Sequence, residues 1–409
     1  MDGGAGYAAT SSLAGSNSRE RWSPSPPSGA GSAVVSSASP LIISYHHQYY
    51  LAAAPSAGLS SDWFDAGSTA TLSAQGVYGR SGDTGQRIVS YSIDGGPPVA
   101  VAPALATVSA SVLMDSSHTF AFNSVTQYRL TVVGGSGVTL SSSSPTSDGF
   151  FDAGSSISAS TPYSWPAPQG ELQVRLNLLN YSIDGVTTGV PRSGSGAFTT
   201  PRFTFDGPKS VAFNAVTQYL VSFAFTAAST ASAISPSAFR VVTQSLGDQS
   251  VSNGSVWLDE GSNVSIASLQ WEGSDVKPVD FTLVVIGPEH PTVHARIYDL
   301  HLKVADPLGL PISGADAKIV LANGTSLAES SSADGTISVP MIPLGTFNAT
   351  VSSLGQSVQA TGDAATGTTT KVQLTLSYPV IGVALGALAL ASIAVILTRR
   401  KAKAPLASS

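Results

Sequence analysis

The sequence lacks cysteine and is poor in charged side chains. None of its 409 residues is cysteine, and only 11 % are Asp, Glu, Lys or Arg, under half of the roughly 25 % usual in globular domains. Without cysteine there is no disulfide scaffold, thiolate zinc site or thiol nucleophile. The low charge argues against a coiled coil and a typical helical cytosolic enzyme. Serine, threonine and 40 glycines supply the polar and turn-forming positions instead.

The few charges are unevenly distributed. The chain has 19 basic and 25 acidic residues, for a net charge of −6. Four basic residues lie in the last eleven positions, so the rest carries 15 basic against 25 acidic residues, or −10. A thinly acidic body repels phosphate backbones, which argues against a nucleic-acid partner. The four basic residues are Arg399, Arg400, Lys401 and Lys403.

Only one stretch of the sequence is long, apolar and free of charge. Residues 380–397 contain no charged side chain, and Ser392 is the one polar side chain among them. This length is close to the roughly 20 residues that cross a bilayer. The sequence therefore predicts a transmembrane helix over 377–398 and a basic cytoplasmic tail over 399–409, with the body outside the cell. Gly382 and Gly386 have a helix-pairing spacing, but glycine is common in membrane helices, so dimerisation is not favoured.

Residues 1–40 are a Ser/Gly/Pro/Ala tract with no long apolar segment. This composition predicts a disordered lead. An exported protein is expected to begin with a charged region and an apolar core. We therefore expect that the true start lies upstream, that the chain is part of a longer surface protein, or, less favoured, that the C-terminal helix is its own insertion signal.

The middle of the chain repeats itself. Seven of eight positions are identical between 121–128 and 212–219, and the segments 91–95 and 181–185 match letter for letter. Gln-Tyr pairs recur at 48–49, 127–128 and 218–219, at spacings of 79 and 91 residues. A Phe-Asp-Ala-Gly-Ser segment ends at Ser68 and Ser155, and a worn third copy, Leu-Asp-Glu-Gly-Ser, ends at Ser262. These repeats predict module 1 over 41–126, module 2 over 127–217 and a degenerate module 3 over 218–291.

Apolar residues alternate with polar ones inside each repeat, which is typical of strands with one buried face. The predicted fold class is all-β, with tandem Ig-like or transthyretin-like β-sandwich modules and one C-terminal transmembrane helix. Asp65, Asp94, Asp152 and Asp184 stand beside glycines but nearly alone. A calcium loop needs several oxygen ligands in a short stretch, so we interpret these residues as turn formers.

Residues 292–376 have a different pattern. We expect Ala317, Ile319 and Leu321 to point one way and Phe347, Ala349 and Val351 to point inward, with Val372, Leu374 and Leu376 closing the sheet just before the apolar stretch. The turn at Asp306–Ala315, the Asp334-Gly335 turn and the segment Ile342–Phe347 resemble the carboxypeptidase regulatory-like (transthyretin-like) β-sandwich domain. This resemblance implies a spacer or accessory binding module without catalysis. The repeats more loosely resemble β-modules of prokaryotic, especially archaeal, surface proteins.

Five Asn-x-Ser/Thr triplets precede the apolar stretch and are candidate N-glycosylation sites, in agreement with an extracellular body. They begin at Asn180, Asn253, Asn263, Asn323 and Asn348.

Residues with catalytic potential are sparse. Asp83-Thr84-Gly85 resembles one aspartic-protease triplet, but two are needed and its flanks are polar. His290 and His294 are separated by Pro291, which argues against one helical turn carrying both. His118 stands where the next repeat has Lys209, which we interpret as a position that accepts any polar residue. We therefore expect no catalytic, metal or cofactor site.

Three functions remain open. The first is a structural or adhesive surface protein whose partners are the lipid bilayer and other surface proteins or glycans. The second is the C-terminal stalk of a larger secreted hydrolase, such as a thermopsin-like protease. The third is a solute or glycan receptor in which exposed Trp63 or Trp257 stacks on sugar rings, although both are more simply core residues.

Overall fold

The computed structural model describes residues 6–10, 13–25, 30–32, 42–54, 56–192, 194–364 and 369–401. Within these ranges the chain is built of short β-strands and one long C-terminal helix, as the predicted fold class requires. The strands up to the end of module 1 are β1 (Gly6–Ala8), β2 (Glu20–Ser25), β3 (Ala30–Ser32), β4 (Ser44–Ala53), β5 (Asp62–Asp65), β6 (Thr69–Gln75), β7 (Val77–Ser81), β8 (Thr84–Ile93), β9 (Val99–Ala100), β10 (Thr107–Leu113) and β11 (His118–Gly134). A single 3-10 turn lies at Ser56–Gly58.

Module 2 follows with many short strands. They are β12 (Thr139–Leu140), β13 (Phe150–Asp152), β14 (Ser156–Ile157), β15 (Ala159–Pro162), β16 (Ser164–Pro166), β17 (Val174–Ile183), β18 (Val186–Gly189), β19 (Ala197–Thr199), β20 (Phe203–Thr204) and β21 (Lys209–Ser222). Module 3 contains β22 (Ala224–Ala227), β23 (Ala238–Thr243), β24 (Gly247–Ser250), β25 (Ser255–Asp259), β26 (Asn263–Trp271), β27 (Ser274–Asp275) and β28 (Thr282–Val284). The strand that pairs with β22, β29 (Thr292–Ala295), lies just past the predicted end of module 3 at residue 291.

The segment nearest the helix, module 4, is a two-sheet sandwich. Its strands are β30 (Ile297–Ala305), β31 (Asp316–Leu321), β32 (Ser326–Ser330), β33 (Thr336–Pro343), β34 (Gly345–Ser353), β35 (Gln356–Ala364) and β36 (Thr369–Gln373). One sheet has the order β33-β30-β36 and the other β32-β31-β34-β35. Their inner faces share one hydrophobic core, in which Phe347 is the largest fully buried side chain.

The predicted core residues of module 4 are confirmed, except for the last one along the chain. The six residues predicted on β31 and β34 are buried, and so are Val372 and Leu374. The prediction for Leu376 is wrong, because this residue lies beyond the end of β36 and its side chain is exposed.

The chain packs as two compact units, each with two hydrophobic cores. One unit comprises residues up to 165 together with 177–215, and the other comprises 166–176 and the chain from 216 onward. The first unit contains the core of module 1, around Phe120 and Phe122, and the core of module 2, around Phe205 and Phe213. The second unit contains the cores of modules 3 and 4.

Strand β11 belongs to both modules of the first unit. Its first half pairs antiparallel with β8 and places Phe120 and Phe122 in the core of module 1. Its second half places Leu130 in the core of module 2 and pairs parallel with the start of β21. The predicted boundary at 126/127 thus lies inside one continuous strand, and no linker separates the two modules.

The prediction of a disordered lead does not hold for residues 20–25. They form β2, which pairs antiparallel with β4 from Glu20 opposite Tyr49 to Ser25 opposite Ser44. Much of the remaining lead lies outside the described residues. The local composition gave no sign of this strand, because its pairing partner is supplied by a separate segment, residues 44–49, further along the chain.

The apolar stretch forms helix α1 (Tyr378–Lys401). Residues 380–399 have a mean hydropathy of 2.7, and none of that span is buried within the chain. At 1.5 Å per residue its 24 residues extend over roughly 36 Å, enough for a hydrocarbon core of about 30 Å. By length and composition, α1 can cross a membrane.

Gly335, in the Asp334-Gly335 turn, provides a test of this fold. It has a φ of 81°, and a Cβ there would lie 2.5 Å from the carbonyl oxygen of Val304. Gly324 has a φ of 85° but no atom within 4 Å of the same point. We expect Gly335→Ala to speed hydrogen exchange in β30 and β33 at least about tenfold more than Gly324→Ala, since both incur left-handed strain of roughly 1–2 kcal/mol but only the first meets backbone. Equal effects would contradict this packing.

Candidate functional site

The repeated Gln-Tyr and Asp-x-Gly-Ser segments come together in the structure. In each repeat the Gln lies directly across a strand pair from the Asp: Gln48 opposite Asp65, Gln127 opposite Asp152 and Gln218 opposite Asp259. In each pair the Gln Nε2 donates to the Asp Oδ1, at 2.9, 2.9 and 2.8 Å. The two sequence repeats are therefore the two halves of one interaction.

An arginine completes each pair. Arg80 Nη2 donates to Gln127 Oε1 at 3.0 Å, and its guanidinium carbon lies 3.5 Å from the centre of the Phe150 ring. The Gln side chain thus accepts from a cation and donates to a carboxylate, with both ends of its amide satisfied. Gln127 is completely buried, and leaving it unpaired there would be costly. We call this set of Arg, Gln, Asp and aromatic residue the Arg–Gln–Asp cluster.

The other two clusters have the same geometry. In the first, Arg21 Nε donates to Gln48 Oε1 at 2.9 Å and lies 4.4 Å above Trp63. In the third, Arg175 Nε donates to Gln218 Oε1 at 2.8 Å and lies 4.4 Å above Trp257. Both distances are within the range of a cation–π contact. One face of each tryptophan is therefore covered by a guanidinium, which does not favour either as a platform for a sugar ring.

Gly85 explains why the second cluster takes its arginine from another strand. Arg21 lies opposite Gln48 on β2, whereas Gly85 lies opposite Gln127 on β8. A Cβ on Gly85 would lie 2.6 Å from Nη1 of Arg80. The missing side chain leaves room for Arg80 to reach the Gln from β7.

A tight turn fixes the Asp of each cluster. The Ser three residues later donates its hydroxyl to the Asp carbonyl oxygen at 2.6 Å in all three copies. The glycine before that serine has a φ between 74° and 81°, a left-handed conformation that glycine adopts without strain. The sequence Asp-x-Gly-Ser is thus explained by backbone geometry, which points the Asp carboxylate toward the Gln.

The second cluster carries the most charge. Arg87 makes a two-pronged contact with Asp152, at 2.8 Å from Nε and 2.5 Å from Nη2, and Arg80 also pairs with Asp148. Burial raises the pKa of Asp152, but hydrogen bonds from Arg87 and Gln127 outweigh it and hold the pKa below its ordinary value. Asp152 is therefore a carboxylate near neutral pH. This arrangement joins β7 and β8 of module 1 to β13 of module 2.

Sequence reasoning found the Gln and Asp of these clusters but not the arginines. The available signal was that the Gln-Tyr and Asp-x-Gly-Ser segments recur together in every copy. Arg175 stands six residues before Tyr181, where Gly85 stands six before Tyr91. Alignment of the repeats therefore conceals the arginine of the second copy, because it comes from β7.

A second repeated feature places a cation between two carboxylates. His118 Nδ1 lies 2.7 Å from Asp94, and its Nε2 lies 3.1 Å from Asp115. In the next copy Lys209 Nζ lies 2.9 Å from Asp184 and 2.5 Å from Asp206. The interpretation that this position accepts any polar residue is wrong, since both copies place a side chain that can carry positive charge between acidic ones.

The first carboxylate of each pair is also a turn residue. Asp94 and Asp184 have φ values of 52° and 50° and each precedes a glycine, in agreement with the turn interpretation. Asp94 Oδ1 also accepts from the Thr119 backbone N at 2.7 Å, and Asp184 Oδ1 from the Ser210 backbone N at 2.9 Å.

The candidate glycosylation residues differ in accessibility. Asn253, Asn263 and Asn348 are exposed, whereas Asn180 and Asn323 are half-buried. The Oδ1 of Asn180 accepts from Asn214 Nδ2 at 2.7 Å. Asn323 donates its Nδ2, the atom that a glycan would occupy, to the carbonyl oxygen of Glu272 at 2.9 Å. Glycosylation stays a prediction, and these contacts favour the three exposed positions.

The predicted membrane stop lies at the end of α1. Arg399 is exposed, Arg400 and Lys401 are its last residues, and Lys403 lies outside the described residues. Asp83 lies in the turn between β7 and β8, 3.6 Å from Arg129. His294 is on strand β29, where Thr226 contacts its Nδ1. Within the described ranges, no group of three or more His, Asp or Glu side chains is placed to hold a metal ion.

Removing the amide of the second cluster tests its contribution. Gln127→Ala leaves buried polar partners without two hydrogen bonds, and we expect β13 to lose about 2 kcal/mol of protection, or roughly thirtyfold in hydrogen exchange. Gln48→Ala removes the same two bonds from a half-buried site and is the matched control, with an expected loss of about 1 kcal/mol or less. Similar losses at both positions would contradict the importance of burial here.

The His118 and Lys209 sites predict different pH responses. Burial lowers the pKa of His118, but its contacts with Asp94 and Asp115 outweigh this and raise the pKa above 6.5. The stabilisation is therefore complete below pH 6.5 and is lost as pH rises through the raised value. We expect hydrogen exchange around β8 and β11, corrected for the intrinsic pH effect, to be about two- to fivefold slower at pH 6 than at pH 8.5. His118→Lys, which copies the Lys209 site, should abolish this difference, and an unchanged pH response in that variant would refute it.

Comparisons with known proteins place this chain in no established family. No protein-family model and no curated protein matches it. Among solved structures, the TIE protein of Bacillus anthracis overlaps 91 % of this chain and 74 % of its own, with 10 % identity and a TM-score of 0.25. The minor pilin GBS52 of Streptococcus agalactiae overlaps 39 % of this chain and 96 % of its own, with 9 % identity and a TM-score of 0.22. The pilus backbone protein RrgB of Streptococcus pneumoniae overlaps 55 % and 93 %, with 10 % identity and a TM-score of 0.19. Scores this far below 0.5 do not establish a shared fold.

Proposed function

We propose that this chain is a membrane-anchored extracellular protein whose β-modules act as a structural stalk or adhesive surface. The observation that carries the proposal is α1, a helix of membrane-spanning length whose apolar side chains are covered by no other part of the described chain. A buried soluble helix would have one face against a core. The basic residues at its C-terminal end favour a cytoplasmic tail and an external body.

The Arg–Gln–Asp clusters support the stalk. A stalk must hold successive modules in a fixed relation, and a shared strand with a buried polar cluster does so in the first unit. Strand β11 enters both cores, and the second cluster joins β7 and β8 of module 1 to β13 of module 2. The shared strand and the polar cluster both resist bending at the junction, because bending would separate buried hydrogen-bonding groups from their partners.

Further details belong to the same proposal. The resemblance of residues 292–376 to carboxypeptidase regulatory-like domains is supported by the seven-stranded, two-sheet sandwich, and it implies a spacer. The likeness to prokaryotic, especially archaeal, surface β-modules and glycosylation at the exposed asparagines fit an external location. Surface proteins or glycans are then the partners in solution, and the bilayer is the partner of α1.

Topology is the direct test. Protease added to intact cells that express the chain should digest modules 1–4 and leave α1 and the C-terminal tail protected. As a control, the same treatment after permeabilisation should remove the tail as well. Survival of the modules on intact cells would overturn the orientation, and release of the intact chain by carbonate washing would overturn the anchoring.

A further inference from the structure

The end of module 4 next to α1 exposes leucines on loops that carry no exposed charge. Leu308 and Leu310 lie in the loop after β30, and Leu376 lies two residues before α1. Leu354 lies at the tip of the β34–β35 hairpin. Leu308 is 65 % and Leu354 75 % exposed. The one charged residue in these loops is Asp306, which is itself buried. The adjoining β32–β33 turn at the same end carries an exposed carboxylate, Asp334, which pairs with Lys303.

The two loops and the start of the helix are held together. Asp306 Oδ1 accepts from the backbone N of Leu308 and Leu310, at 2.9 and 2.8 Å. Its Oδ2 accepts from the Ser377 hydroxyl, immediately before α1. Gln356, which follows the hairpin tip, accepts from the backbone N of Leu376 at 2.8 Å. A shallow cavity of about 440 Å³ is lined by Leu310, Leu354 and Leu376 together.

Leucine is an energetically unfavourable residue for the backbone conformation at position 354. It has a φ of 48° in a two-residue turn completed by Gly355. The chain's turns of the same kind place Asp184, Asn253 and Glu272 before the glycine. A leucine in the left-handed region is strained, and three quarters of this side chain is exposed. An exposed apolar residue in a strained conformation points to a contact with something other than this chain.

We propose that this leucine cluster, Leu308, Leu310, Leu354 and Leu376, inserts into the interfacial region of the bilayer that α1 crosses. The inference rests on the proposed membrane anchoring. The occupant is a lipid surface because the cluster is continuous with an apolar helix that begins two residues beyond Leu376. Module 4 then stands directly on the membrane.

The experiment uses the full chain in phosphatidylcholine nanodiscs, with single cysteines that carry an environment-sensitive fluorophore. The chain has no cysteine of its own, so each label is unique. Leu308→Cys and Leu354→Cys report the cluster. Ala322→Cys is the control, because it is exposed beside the Asn323 turn at the far end of β31. Ala391→Cys, in α1, reports the anchoring itself. Nitroxide-labelled lipid is the quencher.

We expect quenching at 308 and 354 to be at least threefold stronger than at 322, with strong quenching at 391. Leu354→Asn should reduce quenching at 308 at least twofold while hydrogen exchange in β34 and β35 stays the same or slows, since Asn suits a positive φ. Quenching at 391 with 308 and 354 no different from 322 overturns the docking and leaves the anchoring intact. No quenching at 391 overturns the anchoring and the docking with it.

Discussion

The hydrogen bond between a glutamine and an aspartate on paired strands is the constraint that recurs through this chain. It forms three times with the same register, and each time an arginine on an aromatic ring completes it. A buried amide has no alternative partner in water, so its geometry is specified closely. The Asp-x-Gly-Ser turn, the space at Gly85 and the aromatic residue two positions before the Asp all follow from this requirement.

The same interaction explains why modules 1 and 2, in the first unit, need no linker between them. Strand β11 gives its first half to one core and its second half to the next. A strand shared in this way would twist freely about the junction if nothing crossed it. Arg80 and Arg87 cross it to Asp148 and Asp152, so ion pairs and hydrogen bonds hold the junction.

Sequence patterns predicted the parts of this fold that depend on local order. Alternation identified Phe347, Ala349 and Val351 as buried, and the uncharged stretch identified α1, because strand faces and helix length are written in consecutive residues. The patterns could not predict β2, whose partner is distant, or Arg80, which replaces a missing side chain on another strand. The alternating pattern continues past the end of β36, and for this reason it wrongly predicted that Leu376 closes the sheet. The exposure of Leu376 depends on where α1 begins, and the alternating pattern does not indicate that position.

The rigidity of the junction between modules 1 and 2 depends on the second Arg–Gln–Asp cluster. Spin labels on Ser111→Cys and Ser143→Cys, both exposed and on opposite sides of the junction, measure this directly by double electron–electron resonance. We expect a single narrow distance distribution that broadens when Gln127 and Arg80 are both replaced by alanine. A broad distribution in the otherwise unchanged chain would contradict it.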